Sequence, residues 1–323
     1  MKWLLITTSP RLNPGDQFIR VGVERLVRTV DPRGEFDYLA KDVEEDLLRP
    51  RPFDRAVLCG MPLWWNNRVS VSQNVGWWGT IMGGWPSAEK RRFLILGAGP
   101  ANGNEMRDAE SYIDAIKWSI GRSWAVTTRS PVVDWPYSLT SICPAAFAVD
   151  ASRRGGPSRF PKLMNLMQHG AHDDHFDRIE AAEWRRRLPE VAAWGIRDGF
   201  AAIAHDDAER ELAEGLGFET VLRPESIDEY LEIYATARIY VGNRLHGAMA
   251  TAAAGGKAAA IGYDSRIRML DRFNVLELAP SEASNYVLDE FLAAPHAPDF
   301  VLRTIAIERR RLLELLGRFA AGE

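Results

Sequence analysis

The residues best suited to chemistry lie in Val241-Gly242-Asn243-Arg244-Leu245-His246-Gly247-Ala248, where an apolar run ends, glycine turns the chain and a run of small residues begins. Read as a strand running into a helix, this turn presents unpaired backbone N–H groups and the positive end of a helix dipole, which favours an anion. Arg244 adds a planar fork that matches a carboxylate or phosphate. His246, in the first helical turn, can donate a proton to a reacting centre or bind an anion as imidazolium. Each of the two alone also reads as a core histidine or a surface arginine; together they read as a site. Tyr263-Asp264-Ser265-Arg266-Ile267-Arg268 follows the next apolar run, where Arg266 can hold a second oxyanion. Asp264 or Ser265 serves equally well there as a plain helix cap.

Three further groups carry both a chemical and a structural reading. In Asn13-Pro14-Gly15-Asp16, Gly15 permits close approach to a ligand, and Asp16 is either a helix cap or a base for an acceptor hydroxyl. His205 follows an apolar run and lies either at a ligand cleft or on the surface as a capping residue beside Asp206. In His169-Gly170-Ala171-His172-Asp173-Asp174-His175 the ligand types suit a divalent ion, but no helical pairing organises them, and a solvated loop carries such residues as readily. No metal is expected; His169, nearest the preceding run, is placed toward a donor pocket instead. Of the 11 tryptophans, Trp64, Trp65, Trp77, Trp78 and Trp85 crowd one region. Indoles stack on the apolar faces of sugars, so Trp64 and Trp65 are candidates for an acceptor platform, with core packing as the structural alternative.

Positioning these residues requires an alternation of strands and helices. Apolar runs over residues 3–8, 55–59, 93–96 and 124–128 read as buried strands, with helical spacing over residues 16–30 and 106–120. A charged, glycine-rich stretch at residues 152–157 then breaks the pattern. Beyond it, strands over residues 162–168, 200–204, 220–222, 239–241 and 258–261 alternate with helices over residues 176–194, 208–216, 227–237 and 245–254. The expectation is an α/β protein with two Rossmann-like domains facing across a cleft, residues 1–156 and 157–300. Residues 301–323 form an amphipathic helix packing back across the domains. Ligands then bind beyond the carboxyl ends of the strands.

Composition narrows the classes. The 323 residues are 46% hydrophobic and 26% charged, an ordinary globular balance. Lysine and arginine total 40 against 44 acidic residues, for a net charge of −4, which argues against a nucleic-acid binder. Two cysteines, Cys59 and Cys143, are too few for a disulfide framework. No apolar run approaches the length of a membrane span, so a cytoplasmic protein is expected, with peripheral membrane contact as an open alternative.

Taken together, Gly242-Asn243-Arg244-Leu245-His246-Gly247, Arg266 and Asn13-Pro14-Gly15-Asp16 resemble the polysaccharide pyruvyl transferase family. Ala204-His205-Asp206-Asp207 is similar to that family's histidine and acidic loop. Leu58-Cys59-Gly60 retains one glycine of the family's glycine-rich turn, and Cys143-Pro144-Ala145-Ala146-Phe147 lacks its aspartate. The resemblance implies a fold like that of GT-B glycosyltransferases. It also implies transfer of the pyruvyl skeleton of phosphoenolpyruvate to a saccharide, free or lipid-linked, as a cyclic ketal, with phosphate released. His246 is then the general acid and Asp16 the base, while Arg244 and Arg266 hold the donor's anionic groups. Asn13, Gly15, His205, His169, Trp64 and Trp65 bind substrate, and no cofactor is implied. One alternative is a nucleotide-sugar glycosyltransferase; such enzymes often carry paired glutamates eight apart, and Glu225, Glu229 and Glu232 do not have that spacing. The other is a non-catalytic carbohydrate-binding relative. Oligomeric state is not legible.

Overall fold

A computed structural model describes residues 1–9, 14–60, 62–65, 81, 85, 89, 92–101, 121–129, 138–150, 156–167, 178–262 and 265–323, with backbone alone at 62–65, 100–101, 138, 178 and 265. The expected helix over residues 106–120 and the His169–His175 cluster lie outside the described residues. Two compact units are present, Met1–Ala148 with Ala306–Glu323, and Val149–Ile305.

Unit 1 holds β1 (Lys2–Thr7), α1 (Pro14–Val30), β2 (Glu35–Ala40), α2 (Glu44–Leu48), β3 (Arg55–Cys59), β4 (Pro62–Trp65), β5 (Phe93–Ala101), β6 (Ala125–Thr128) and β7 (Ser138–Thr140). Its strands run in the order β2-β1-β3-β5-β6-β7, with β4 on β5, and every pair is parallel. A parallel sheet is covered on both faces, which explains why Trp3, Leu4, Leu5 and Ile6 are consecutive and all buried. Helix α1 turns Phe18, Ile19, Val23, Leu26 and Val27 inward at helical spacing. Gly22 is on the same face because a Cβ there would lie 1.9 Å from the Pro144 carbonyl oxygen. That close approach holds the 3-10 turn Pro144–Phe147 against α1. The chain therefore stays in unit 1 up to Ala148, ahead of the glycine-rich stretch where the sequence places the break.

Unit 2 holds β8 (Lys162–Asn165), α3 (Arg178–Arg197), β9 (Ala201–Ile203), α4 (Asp207–Gly215), β10 (Val221–Leu222), α5 (Ile227–Thr236), β11 (Ile239–Gly242), α6 (Leu245–Ala253), β12 (Lys257–Ile261), β13 (Leu276–Leu278), α7 (Asn285–Ala293) and the first turns of α8 (Asp299–Ala321). The order β10-β9-β8-β11-β12-β13, again all parallel, reverses direction between β8 and β11. That reversal is the topological switch point of a doubly wound sheet. Met164, Trp184, Val191, Trp194, Phe200, Val241 and Ile261 form part of its core.

Helix α8 leaves unit 2 and ends in unit 1. Within unit 1, Phe319 is fully buried, with ring centroids 6.1 Å from Trp3 and 5.2 Å from Trp124. Arg55 Nε donates to the Phe319 carbonyl at 2.7 Å, satisfying one of the helix's terminal acceptors. Trp85 is buried and donates to the Leu47 carbonyl at 2.9 Å, a core role. Among the described residues, no helix is long and apolar enough to cross a membrane.

Phe319→Ala should cost unit 1 about 3–5 kcal/mol, the usual cost of emptying an aromatic site in a core. Urea unfolding followed by tryptophan fluorescence would show it; a change below about 1 kcal/mol would mean that the end of α8 is dispensable.

Candidate functional site

The carboxyl ends of β8, β9 and β11 are laced by two buried asparagines. Asn165, the last residue of β8, donates from Nδ2 to the Ile203 carbonyl and to Glu209 Oε2, each at 2.8 Å. Its Oδ1 accepts from the Arg244 backbone N–H at 3.2 Å. Asn243 Oδ1 accepts from Met167 N–H at 3.0 Å, and its Nδ2 donates to the Ile261 carbonyl at 2.9 Å. Gly242 pairs with Asn165 in register, and a Cβ there would sit 2.4 Å from the Asn165 carbonyl oxygen. The glycine of the motif thus serves strand-to-strand contact at the switch point.

Arg244 is clamped. Its Nε and Nη2 both lie 2.6 Å from Glu209 Oε1, and Nη2 also donates to Asp206 Oδ2 at 3.0 Å. The Arg244 side chain keeps 16% exposure while Glu209 keeps 5%. Glu209 Oε2 additionally accepts from the His205 backbone N–H at 2.7 Å. Burial pushes the Glu209 carboxyl above the ordinary range, against the pull of Arg244 and of these donors. Asp206 has two roles, because its Oδ1 caps α4 by accepting from Glu209 N–H at 2.9 Å. The fork that the sequence offers to an anion is therefore oriented, and partly neutralised, by carboxylates from the α4 turn.

Helix α6 begins directly above this clamp. Its N-cap residue, Arg244, makes no side-chain cap, whereas Asp206, Ser226 and Ser284 cap α4, α5 and α7. His246 is half-buried in the first turn of α6. Gly247 is required by sterics: a Cβ there would meet Tyr234 Oη at 2.9 Å and the Tyr240 ring at 3.0 Å. Tyr240 Oη in turn donates to the Arg244 carbonyl at 3.0 Å, fixing the turn from below. From Gly247 to Ala253 every residue of α6 is buried, so small side chains let the helix sit deep in the unit.

His205 is buried, which removes the surface-capping alternative of the sequence reading. Its ring is 2% exposed and its Nε2 lies 2.7 Å from Tyr234 Oη, with the Tyr230 ring edge-on at 5.0 Å. Burial drives its pKa well below the ordinary histidine range, helped by the positive charges of Arg244, His246 and Arg223. A neutral ring enclosed in this way supports the turn. Glu209, which the sequence reading passed over, is the residue that organises the site. Its position three after Asp206 marks it as the third residue of a capped helix, the only signal available.

Arg266 is half-buried in the 3-10 segment Ser265–Phe273, which follows β12. Nearby, Glu277 on β13 is raised to about 7 by burial, by a hydrogen bond with Asp271 and by that residue's charge. In unit 1, Gly15 is buried and Asp16 is half-buried in the first turn of α1. Thr8 Oγ1 donates to Asp16 Oδ2 at 3.0 Å, so this carboxylate faces the end of β1 and is not the N-cap that the sequence allows. Burial lowers the Lys41 amine, opposed by Asp16 and Asp42, which gathers the three charges near the ends of β1 and β2. Asn13 and His169 lie outside the described residues, as do the side chains of Trp64 and Trp65 on β4.

Two measurements follow from this geometry. Glu209→Ala removes the buried carboxylate that Arg244, Asn165 and the His205 N–H share, so a loss of about 3–5 kcal/mol is expected in denaturant unfolding; a loss under about 1 kcal/mol would show that the clamp is not formed. Glu277 binds an extra proton in the native state between its unfolded pKa of 4.5 and about 7. Its contribution to stability is therefore fully present below pH 4.5 and lost as pH rises through about 7. Glu277→Gln should flatten that part of the stability–pH curve, and an unaltered curve would contradict the assignment.

The model of the family described as polysaccharide pyruvyl transferase matches residues 140–265. No curated protein matches the sequence. Among solved structures, a putative UDP-N-acetylglucosamine 2-epimerase from Listeria monocytogenes aligns with TM-score 0.58 and 8% identity, over 100% of this chain and 97% of that one. The S. aureus MnaA–UDP co-structure aligns with TM-score 0.56 and 7% identity, over 100% and 97%. The Methanocaldococcus jannaschii UDP-GlcNAc 2-epimerase in complex with UDP-GlcNAc and UDP aligns with TM-score 0.50 and 8% identity, over 95% and 99%. At such identities these likenesses speak for the fold alone. The chain is an α/β protein of GT-B-like fold that carries, over residues 140–265, a match to the model of the polysaccharide pyruvyl transferase family.

Proposed function

We propose that the protein transfers the pyruvyl group of phosphoenolpyruvate to a saccharide, free or lipid-linked, of a cell-surface polysaccharide or its precursor, in the cytoplasm. The observation that carries this reading is the β11–α6 turn: Arg244 held by Glu209 and His246 in an uncapped first turn stand together at the switch point, inside the matched segment. An uncapped helix N-terminus favours an anion, and so does a fixed guanidinium. The donor offers two anionic groups, a carboxylate and a phosphate, so a second cation is needed; Arg266 is assigned to it.

The chemistry divides among the residues as follows. His246 gives a proton to the donor's methylene carbon, and electron density leaves the adjacent carbon, which becomes oxocarbenium-like. A sugar hydroxyl attacks that carbon and loses its proton to Asp16. Cleavage of the carbon–oxygen bond then releases phosphate, with the charge stabilised by Arg244, Arg266 and the helix end. A second hydroxyl attacks the oxocarbenium carbon left by that cleavage and gives its proton back to His246, closing the ketal, while the proton on Asp16 leaves with the phosphate. Gly15 and Asn13, with His169 and the Trp64–Trp65 pair, are assigned to substrate binding. His205 is left out of this set and acts through the turn it supports. The scheme calls on no metal and no further cofactor.

A nucleotide-sugar reading draws support from fold neighbours solved with UDP. Thermal shift separates the two. Phosphoenolpyruvate at a hundredfold excess over its dissociation constant should stabilise the protein by about 2.7 kcal/mol, and UDP should not. Arg244→Ala should abolish the shift relative to its own unliganded midpoint; a retained shift would remove Arg244 from the anion site. His246→Ala should retain the shift while phosphate release falls about a hundredfold to ten-thousandfold. Undiminished release would remove His246 as the acid.

A further inference from the structure

Unit 1 contains a buried cation that the proposed reaction does not use. Arg129 follows β6 directly and is 5% exposed. Among the described residues its guanidinium meets no carboxylate; its recorded side-chain contact is Nη1 donating to Cys143 Sγ at 3.5 Å. Sulfur is a weak acceptor, so that contact does not offset a buried charge. The position is built. The Arg129 backbone N–H donates to the Ala98 carbonyl at 2.9 Å, extending the β5–β6 ladder by one residue. At Gly99 a Cβ would fall 3.1 Å from Arg129 Nε, so the missing side chain is what admits the arginine stem across β5.

Two hydroxyls at the same strand ends are buried without a partner among the described residues. Thr128 and Ser141 are 0% and 4% exposed, and neither Oγ1 of Thr128 nor Oγ of Ser141 makes a hydrogen bond among the described residues. The two are tied together, since Ser141 N–H donates to the Thr128 carbonyl at 2.8 Å. Thr127 differs: its Oγ1 accepts from Gly97 N–H at 2.7 Å and so serves the fold. Successive strand residues face opposite sides of a sheet, so Ser141, one step past the Thr128–Thr140 register pair, shares the face of Arg129 while Thr128 does not. Buried polar groups are nearly always partnered, and a buried guanidinium beside an unmet hydroxyl is what an absent acceptor leaves behind. The carboxyl edge of a parallel sheet is also where such folds take ligands.

We propose that the carboxyl ends of β5, β6 and β7 form an oxyanion-binding site, with Arg129 as charge partner and Ser141 as hydroxyl donor. A planar fork with a neighbouring hydroxyl suits a carboxylate or a phosphate. The free phosphate ion and the carboxylate of an acidic sugar are its two sources.

The test uses the full chain carrying Arg244→Ala, so that the unit 2 site does not respond. Inorganic phosphate and glucuronate, added separately, should raise its melting temperature saturably in at least one arm, and the responding arm identifies the source. Adding Arg129→Met should remove that response and leave the unliganded midpoint no lower, because an uncompensated buried charge has been replaced by an apolar side chain. Ser141→Ala in place of Arg129→Met should weaken the apparent affinity about threefold to tenfold with the fold unchanged, and it decides the matter should Arg129→Met fail to fold. No response in either arm, a response that survives both substitutions, or a folded Arg129→Met protein with a lowered midpoint would overturn the proposal. None of these outcomes bears on the phosphoenolpyruvate response of the unsubstituted protein, which is read separately.

Discussion

One ion pair sets the geometry of unit 2, that between Glu209 at the start of α4 and Arg244 at the end of β11. A buried carboxylate is costly unless its lone pairs are met, and Glu209 meets them with Arg244, the Asn165 amide and the His205 N–H. Those donors come from β8, β11 and the loop after β9, so a single side chain ties three strand ends together. The pair contributes little net stability if its desolvation cost is counted, yet breaking it is expensive. Its value lies in fixing where the guanidinium points.

Topology explains why this location can be a site at all. Winding outward in both directions from β8 and β11 leaves their carboxyl ends without a covering crossover between them. Into that gap the chain sends a helix made of small residues, deep enough that Gly247 touches Tyr234 and Tyr240. The helix begins without a side-chain cap, while its neighbours are capped. Backbone donors and a clamped arginine thus converge on one position. Beneath them, neutral His205 and two buried tyrosines form a polar floor whose groups are enclosed in the unit.

Much of this was legible before any coordinates. The long apolar runs at β1, β3, β8, β11 and β12 are fully buried parallel strands, and such strands announce themselves by continuous hydrophobicity. Edge strands do not. In β2, Glu35 and Asp37 alternate with Phe36 and Tyr38, and β13 has only three residues, so neither stands out from a loop. The β11–α6 turn stands out because glycine, arginine and histidine have few reasons to share five positions at a strand-to-helix boundary. The clamp was not visible, since Glu209 lies 35 residues from Arg244 and looks like any helix glutamate. Likewise the sequence could not tell an enclosed His205 from an open one, because the tyrosines that enclose it come from elsewhere in the chain. Arg129 went unremarked for the same reason: a lone arginine after a strand is ordinary until its burial is known.

The chemistry assigned to the turn is tested most directly by product. The protein would be incubated with phosphoenolpyruvate and a panel of free, nucleotide-linked and lipid-linked saccharides, with released phosphate and acceptor mass followed together. Pyruvyl transfer at the Arg244–His246 turn predicts phosphate release that depends on one acceptor class, matched in amount by an acceptor carrying the pyruvyl ketal. Phosphoenolpyruvate left unconsumed while a UDP-sugar in the same panel is turned over would contradict it.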